Sequence, residues 1–517
     1  MIKEQWLGKT FFVTLGALAA CFLLAIGIFH NVGEPFALAV IGLGVLALTI
    51  WRFEFGLFAA FAGLFANSHG HLIETSVFGF PLSLRMTVFL AVMLGWLILV
   101  IARKIKLPLK DSRWWPFLPL FVAVAIGLII GLKENGVMAA FDDGNAYFYL
   151  AYLFPILSVE WTALRRRDLL QVFAASATWV IILSLGLLYE FTHFPGWLLS
   201  QTYTFIRDTR TGELTKMTAG IFRVFLQAQF SVVVLAFLLA PFMWLKEINN
   251  KTRLWLGLGL IPVASTIIIS LSRSFWVGML AGIAVLILLI FILIKPKLKK
   301  AGSAIGLSAA SGIVGIIFIV LIILFPLPYK TGSFSEFSLL LSSRTTDLGD
   351  AAISSRWNLL PELWKEIVVS PIIGSGFGEE VAFKTDDPRV LAIYPDGLWR
   401  TSALEWGWLE LWLKMGILGP LAFLWLFGVL LKGLITDRER QTWLTIGLTS
   451  ALVMLFVTHI FSPYLNHPIG LGFILFILPF LDSKKKIIPA LSSEKSFLEK
   501  TRQLPQSLVA PVTKQNN

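Results

Sequence analysis

Two arginines in this chain have the chemistry to bind an anion, one between two long apolar runs and one in a large hydrophilic loop. Arg273 lies in Ile269-Ser270-Leu271-Ser272-Arg273-Ser274, between two long apolar runs. Arg356 opens a segment, Ser355-Arg356-Trp357, that continues to Ser370-Pro371-Ile372-Ile373-Gly374-Ser375-Gly376-Phe377-Gly378. A guanidinium stays charged at ordinary pH, is costly beside hydrocarbon, and matches a pair of phosphate oxygens with its planar fork. Such residues at a membrane rim suit a lipid that carries phosphate or pyrophosphate. Arg223, in Gly220-Ile221-Phe222-Arg223, and Arg344 are further candidates for the same ligand. Glu405, beside Trp406, adds a carboxylate just past the end of the same large loop. The plain alternatives are arginines that snorkel or meet ordinary phospholipid phosphates, and a glutamate that merely complements a helix start.

The elements that must hold these residues are apolar. Of 517 residues, 57% are hydrophobic and 14% charged, and the mean hydropathy is +0.79. Soluble domains carry about 25% charged residues, so the composition describes a polytopic membrane protein. The apolar runs recur near the ~20 residues that cross a bilayer and predict an all-α chain of about fourteen spans, among them 146–164, 222–245, 253–271, 274–295 and 405–432. The first run follows Lys3 and Lys9 without a small-residue cleavage site, which predicts a retained anchor. Cys21 is the single cysteine, so no intramolecular disulfide can form.

Alternate loops carry the positive charge: Arg52; Arg103 to Arg113; Arg165 to Arg167; Lys246 to Arg253; Lys295 to Lys300; Lys432 to Arg440; and the tail from Lys484. Together with Lys3 and Lys9 they hold 28 of the 43 lysines and arginines. By the positive-inside rule this face and both termini are cytoplasmic. The net charge of +12 thus reflects topology and excludes nucleic acid as the expected partner. Residues 1–481 form the membrane domain, and 482–517, rich in Ser, Lys, Pro and Gln, are expected to be disordered.

Function belongs on the other face, where loops 191–221 and 328–404 exceed an ordinary connection. In the larger loop, Trp357, Leu360, Trp364, Ile367 and Val368 recur at helical spacing, with Ser354 or Ser355 placed to cap the start and Pro361 placed to kink the helix. Gly374 to Gly378 read as a turn that lets backbone approach the membrane or a ligand. His69-Gly70-His71 has metal-like spacing but no evident companions. Asp142-Asp143 suit a helix start or sugar hydroxyls, and His459 and His467 flank the last outer turn.

Three segments resemble the bacterial O-antigen ligases and O-antigen polymerases, membrane glycosyltransferases that use polyprenyl-pyrophosphate-linked glycans. They are Ile269 to Ser274, Ser355 to Gly378, and Leu409-Glu410 through Lys414-Met415-Gly416-Ile417-Leu418-Gly419. The resemblance covers roughly residues 200 to 430. It implies a GT-C-like fold and attack by an acceptor hydroxyl on a glycan linked to undecaprenyl pyrophosphate, outside the cytoplasmic membrane of a bacterium. The acceptor would be a glycan, a lipid or a protein. Arg273, Arg356 and Glu405 would be catalytic. Arg223, Arg273, Arg344 and Arg356 would bind pyrophosphate, with no metal or cofactor, since no Asp-x-Asp triplet is present. One departure is plain: where the ligases carry a His-Asn pair, this chain has Glu405-Trp406. That substitution keeps open a non-catalytic envelope scaffold, and a polytopic chain basic toward lipid phosphate also fits a transporter or flippase of lipid-linked glycans.

Overall fold

The computed structural model describes residues 6–481 apart from residues 30, 32, 78, 217–221, 246–247, 297, 329–350, 387 and 437–440. Arg344 and the tail from residue 482 lie outside the described residues.

Helices dominate because a backbone in hydrocarbon must satisfy its own hydrogen bonds. In order they are α1 (Lys9–Ile28), α2 (Glu34–Trp51), α3 (Phe53–Ala66), α4 (Leu84–Ile101), α5 (Leu118–Glu134), α6 (Val137–Gly144), α7 (Leu153–Ser158), α8 (Ala163–His193) and α9 (Gly196–Asp208). Then follow α10 (Gln229–Leu239), α11 (Asn250–Ile269), α12 (Arg273–Leu289), α13 (Leu298–Leu324) and α14 (Ala351–Val369). Four more complete the chain after two strands: α15 (Gly407–Met415), α16 (Leu418–Thr436), α17 (Thr442–Thr458) and α18 (Pro468–Ile477). Among the described residues, nine helical segments are long and apolar enough to cross a membrane, and shorter apolar helices accompany them.

Local chemistry sets several starts. Ser83 caps α4 by accepting from the Met86 amide, Thr162 caps α8 from Arg165, and Asn249 caps α11 from Thr252. In α8, 67% of the most apolar window is buried, against 11% in α1, so α8 is a central helix and α1 a peripheral one. α10 and α17 pack against each other, and α10 also packs on α8. α17 and α18 are buried along almost their whole lengths.

Three antiparallel hairpins lie in the connections opposite the basic loops: β1 (Glu74–Val77) with β2 (Phe80–Ser83), β3 (Glu213–Lys216) with β4 (Phe222–Phe225), and β5 (Val381–Lys384) with β6 (Leu398–Thr401). Their registers pair Glu74 with Ser83, Thr215 with Arg223, and Val381 with Thr401.

Several boundaries differ from the sequence reading. The run at 146–164 is a 3-10 segment, Asn145–Tyr152, followed by the short α7, in place of one continuous helix. The run from residue 222 begins as β4 and becomes helical only at Gln229, and the run at 405–432 breaks at Gly416, whose φ of 63° ends α15. α14 is already helical at Ala351, so neither Ser354 nor Ser355 caps it. Its inward stripe is Leu359, Leu363 and Ile367, packed with Val381, Phe383 and Leu413. Trp357, Trp364 and Val368, read as part of that stripe, are exposed instead, which suits a helix lying at a membrane interface.

Candidate active site

The Ser-Arg turn joins α11 to α12. Leu271 holds a φ of 47°, a left-handed conformation that a branched residue adopts at a cost, and this lets the chain reverse within Ser270-Leu271-Ser272. Arg273 is the first residue of α12 and half-buried. The Ser272 side chain does not cap the helix. Its hydroxyl pairs instead with the Ser274 hydroxyl at 3.0 Å, and Ser462 donates to Ser274 at 2.9 Å. A 17-residue helix thus turns its positive end, one arginine and a chain of hydroxyls toward the rim, a combination suited to an anion.

Arg223 reaches the same turn from β4, not from the start of a span. Its Nε donates to the Ser270 carbonyl at 2.9 Å, its guanidinium lies 4.7 Å from the Phe225 ring centre, and Nη1 stands 3.7 Å from a Glu213 carboxylate oxygen. Two arginines that the sequence separates by fifty positions therefore flank one turn.

Arg356 and Glu405 form an ion pair through Nε and Oε2. The Glu405 side chain keeps 48% of its exposure, so the pair opens to solvent. Trp406 anchors it, donating from Nε1 to the Arg356 carbonyl at 2.9 Å and packing on Trp357 and Phe461 at 5.5 and 5.6 Å between ring centres. Phe461 precedes Ser462, which touches Ser274. A continuous path of contacts thus joins the Arg356-Glu405 pair to the Ser-Arg turn.

The glycine run has a different task from the one its composition suggests. Gly374, Gly376 and Gly378 all hold φ between 79° and 86°. Four of the run's amides are spent on protein: Gly374 on Ser370 O, Ser375 on Leu413 O, Phe377 on Gly127 O, and Gly378 on an Asp143 carboxylate oxygen at 2.7 Å. A Cβ on Gly376 would lie 2.3 Å from the Gly131 nitrogen. The glycines allow backbone to meet backbone of α5, so the run is a seam between elements and not a phosphate cradle.

Below that seam sits a buried charge cluster. Lys414 Nζ donates to Asp143 and Glu410 at 2.5 Å each, and to the Ser402 carbonyl at 2.8 Å. Asp143 stands near the C-terminal end of α6, so the expectation of a helix start is corrected. Residue spacing offered one signal, since Glu410 and Lys414 are four apart on a helix. Ser462 carried no such signal. His459 is fully buried, and its Nδ1 accepts from the Leu465 amide at 3.2 Å, which makes it a brace for the last turn.

His69 packs its ring on His467 at 5.8 Å, while His71 pairs with Glu74 and holds that carboxyl below its ordinary range. Among the described residues no group of three His, Cys, Asp or Glu is placed to hold a metal ion.

Residues 258–424 match the family model described as O-antigen ligase. The matched segment contains Arg273, Arg356, Glu405 and the glycine seam. Neither a curated protein nor a solved structure matches.

Proposed function

We propose, from the match of residues 258–424 to the family model described as O-antigen ligase, that the chain is a membrane glycosyltransferase acting on a glycan linked to undecaprenyl pyrophosphate. The observation that carries the reading is the convergence of Arg223 and Arg273 on one helix N-terminus whose cap side chain is turned to other hydroxyls.

An acceptor hydroxyl attacks the anomeric carbon, a new glycosidic C–O bond forms, and the bond to pyrophosphate breaks with its electrons leaving on the phosphate oxygen. Arg223 and Arg273 stabilise that growing charge more strongly than the ground state. Arg356 is held by Glu405 in the free protein. A pyrophosphate that draws Arg356 away releases Glu405, which then takes the acceptor's proton. Donor binding would thus uncover the base only when the leaving group is in place. The carboxylate stands where the related ligases carry histidine, and the same exchange explains why a glutamate serves beside Trp406. The acceptor, whether glycan, lipid or protein, belongs to the wider family reading. Because the chain's own cations neutralise the leaving group, chelation with EDTA is expected to leave turnover unchanged.

The test is release of undecaprenyl pyrophosphate from an undecaprenyl-pyrophosphate oligosaccharide by purified protein, with candidate acceptors. Loss of release in Arg273→Ala and Glu405→Gln supports the reading. Well-folded native protein that binds donor and releases nothing with any acceptor would turn the assignment toward a transporter or scaffold.

A further inference from the structure

A cleft of about 600 Å³ runs between α1, α2, α3, α4 and α8, away from the Ser-Arg turn. Its wall is apolar along most of its length, and one end holds Arg85, Asn67, Tyr149 and Tyr152. Arg85 is only 8% exposed. Its Nη2 donates to the Asn67 carbonyl and, at 3.1 Å, to the Ser68 carbonyl, capping the end of α3. Its Nε has no partner, and neither has the buried Asn67 Oδ1. Among the described residues no carboxylate pairs with Arg85. A buried guanidinium without a counter-charge is costly, and an anion entering the cleft would supply one.

Length selects the kind of anion. Along α3 the lining extends from Phe55 to Asn67, and along α1 from Lys9 to Phe22. At 1.5 Å per residue each stretch covers roughly 20 Å, more than half of the ~30 Å hydrocarbon thickness. The lining also reaches Lys9, on the basic face. A two-chain phospholipid keeps its chains within one leaflet, whereas a polyprenyl chain can cross the midplane. We propose that this cleft holds a polyprenyl phosphate, its phosphate at Arg85 Nε and its chain along α1 and α3. The inference rests on the transferase reading for the class of lipid and gives a polyprenyl lipid a seat separate from the reacting turn.

The cleft contains its own reporter, because Cys21 lines it and is the chain's single cysteine. Maleimide labelling of Cys21 in detergent is measured with polyprenyl monophosphate, with dipalmitoyl phosphatidate, and without lipid. Polyprenyl phosphate is expected to slow labelling at least fivefold and phosphatidate not to slow it. Arg85→Gln should weaken the protecting lipid about tenfold. Gly63→Leu guards against a folding defect at Arg85, since a Cβ at Gly63, a lining position, meets nothing within 4 Å. Filling the cleft there should abolish protection. Unchanged labelling in native protein, equal protection by phosphatidate, or full protection in Gly63→Leu overturns the proposal. Transfer of glycan with Cys21 unprotected overturns the cleft alone, whereas protection without transfer overturns the transferase reading alone.

Discussion

At the scale of single residues, the decisive quantity is how much charge stabilisation one guanidinium supplies. Arg273 sits at the end of a helix whose dipole points the same way, so its removal leaves the helix end and Arg223 in place. Deleting one preorganised donor of this type costs about 10²- to 10³-fold in turnover, and Arg273→Ala is expected to fall in that range by kcat, with Arg273→Lys recovering part. Glu405→Gln removes the proton acceptor and also half of the ion pair with Arg356. It should therefore lower kcat while tightening donor binding, because Arg356 no longer has to leave a carboxylate. Parallel measurement of donor Kd and of undecaprenyl pyrophosphate release separates the two. A Glu405→Gln protein with native kcat would move the base elsewhere. That Arg356 and Glu405 lie in or beside the large outer connection was legible in the sequence. Their pairing was not, since 49 positions separate them and neither charge announces its partner.

At the scale of elements, glycines and buried charges fix how α14 to α16 meet α5 and α6. Gly376 combines a φ of 86° with a Cβ position 2.3 Å from the Gly131 nitrogen. Gly376→Ala thus adds backbone strain of order 1–3 kcal/mol to an overpacking cost of similar size. The expected result is a fall of several degrees in the Tm of detergent-solubilised protein, against little change for Gly63→Ala, whose Cβ has open space. Equal Tm values for the two variants would refute the seam. Lys414→Met leaves the Glu410 and Asp143 carboxylates without their ammonium in a site where Lys414 is 2% and Glu410 3% exposed. Breaking a buried pair costs about 3–5 kcal/mol, and adding Glu410→Gln and Asp143→Asn should recover most of it in the same melt. These roles were hidden for a common reason. A glycine-rich run looks alike whether its amides face a ligand or a neighbouring helix, and only the contact across 240 positions decides. Helix type and apolar runs, by contrast, depend on local periodicity, which is why α11 and α12 follow the expected spans closely while Asn145–Tyr152 does not.

At the scale of the whole molecule, two faces divide the charge. The basic connections hold clusters of lysine and arginine after α4, at the start of α8, at the start of α11 and after α12, while the opposite rim holds Arg223, Arg273 and Arg356 together with all three hairpins. Moving a positive loop outward opposes the membrane potential by about 2.3 kcal/mol per charge per 100 mV, so clusters of three to five charges set one orientation strongly. On that ground the arginine rim is expected to face away from the cytoplasm, with the helices connecting the two faces alternating in direction. Single cysteines on a Cys21→Ala background read this directly. Leu107 lies in a basic connection and Val137 at the start of α6 on the opposite side, and both are exposed, at 49% and 60%. In intact cells with a permeable outer layer, a membrane-impermeant thiol reagent should label Val137→Cys and leave Leu107→Cys unmodified until the membrane is broken. The reverse pattern would place the Ser-Arg turn in the cytoplasm, where a lipid-linked glycan is built and not consumed, and would remove the topological ground for the transfer reaction.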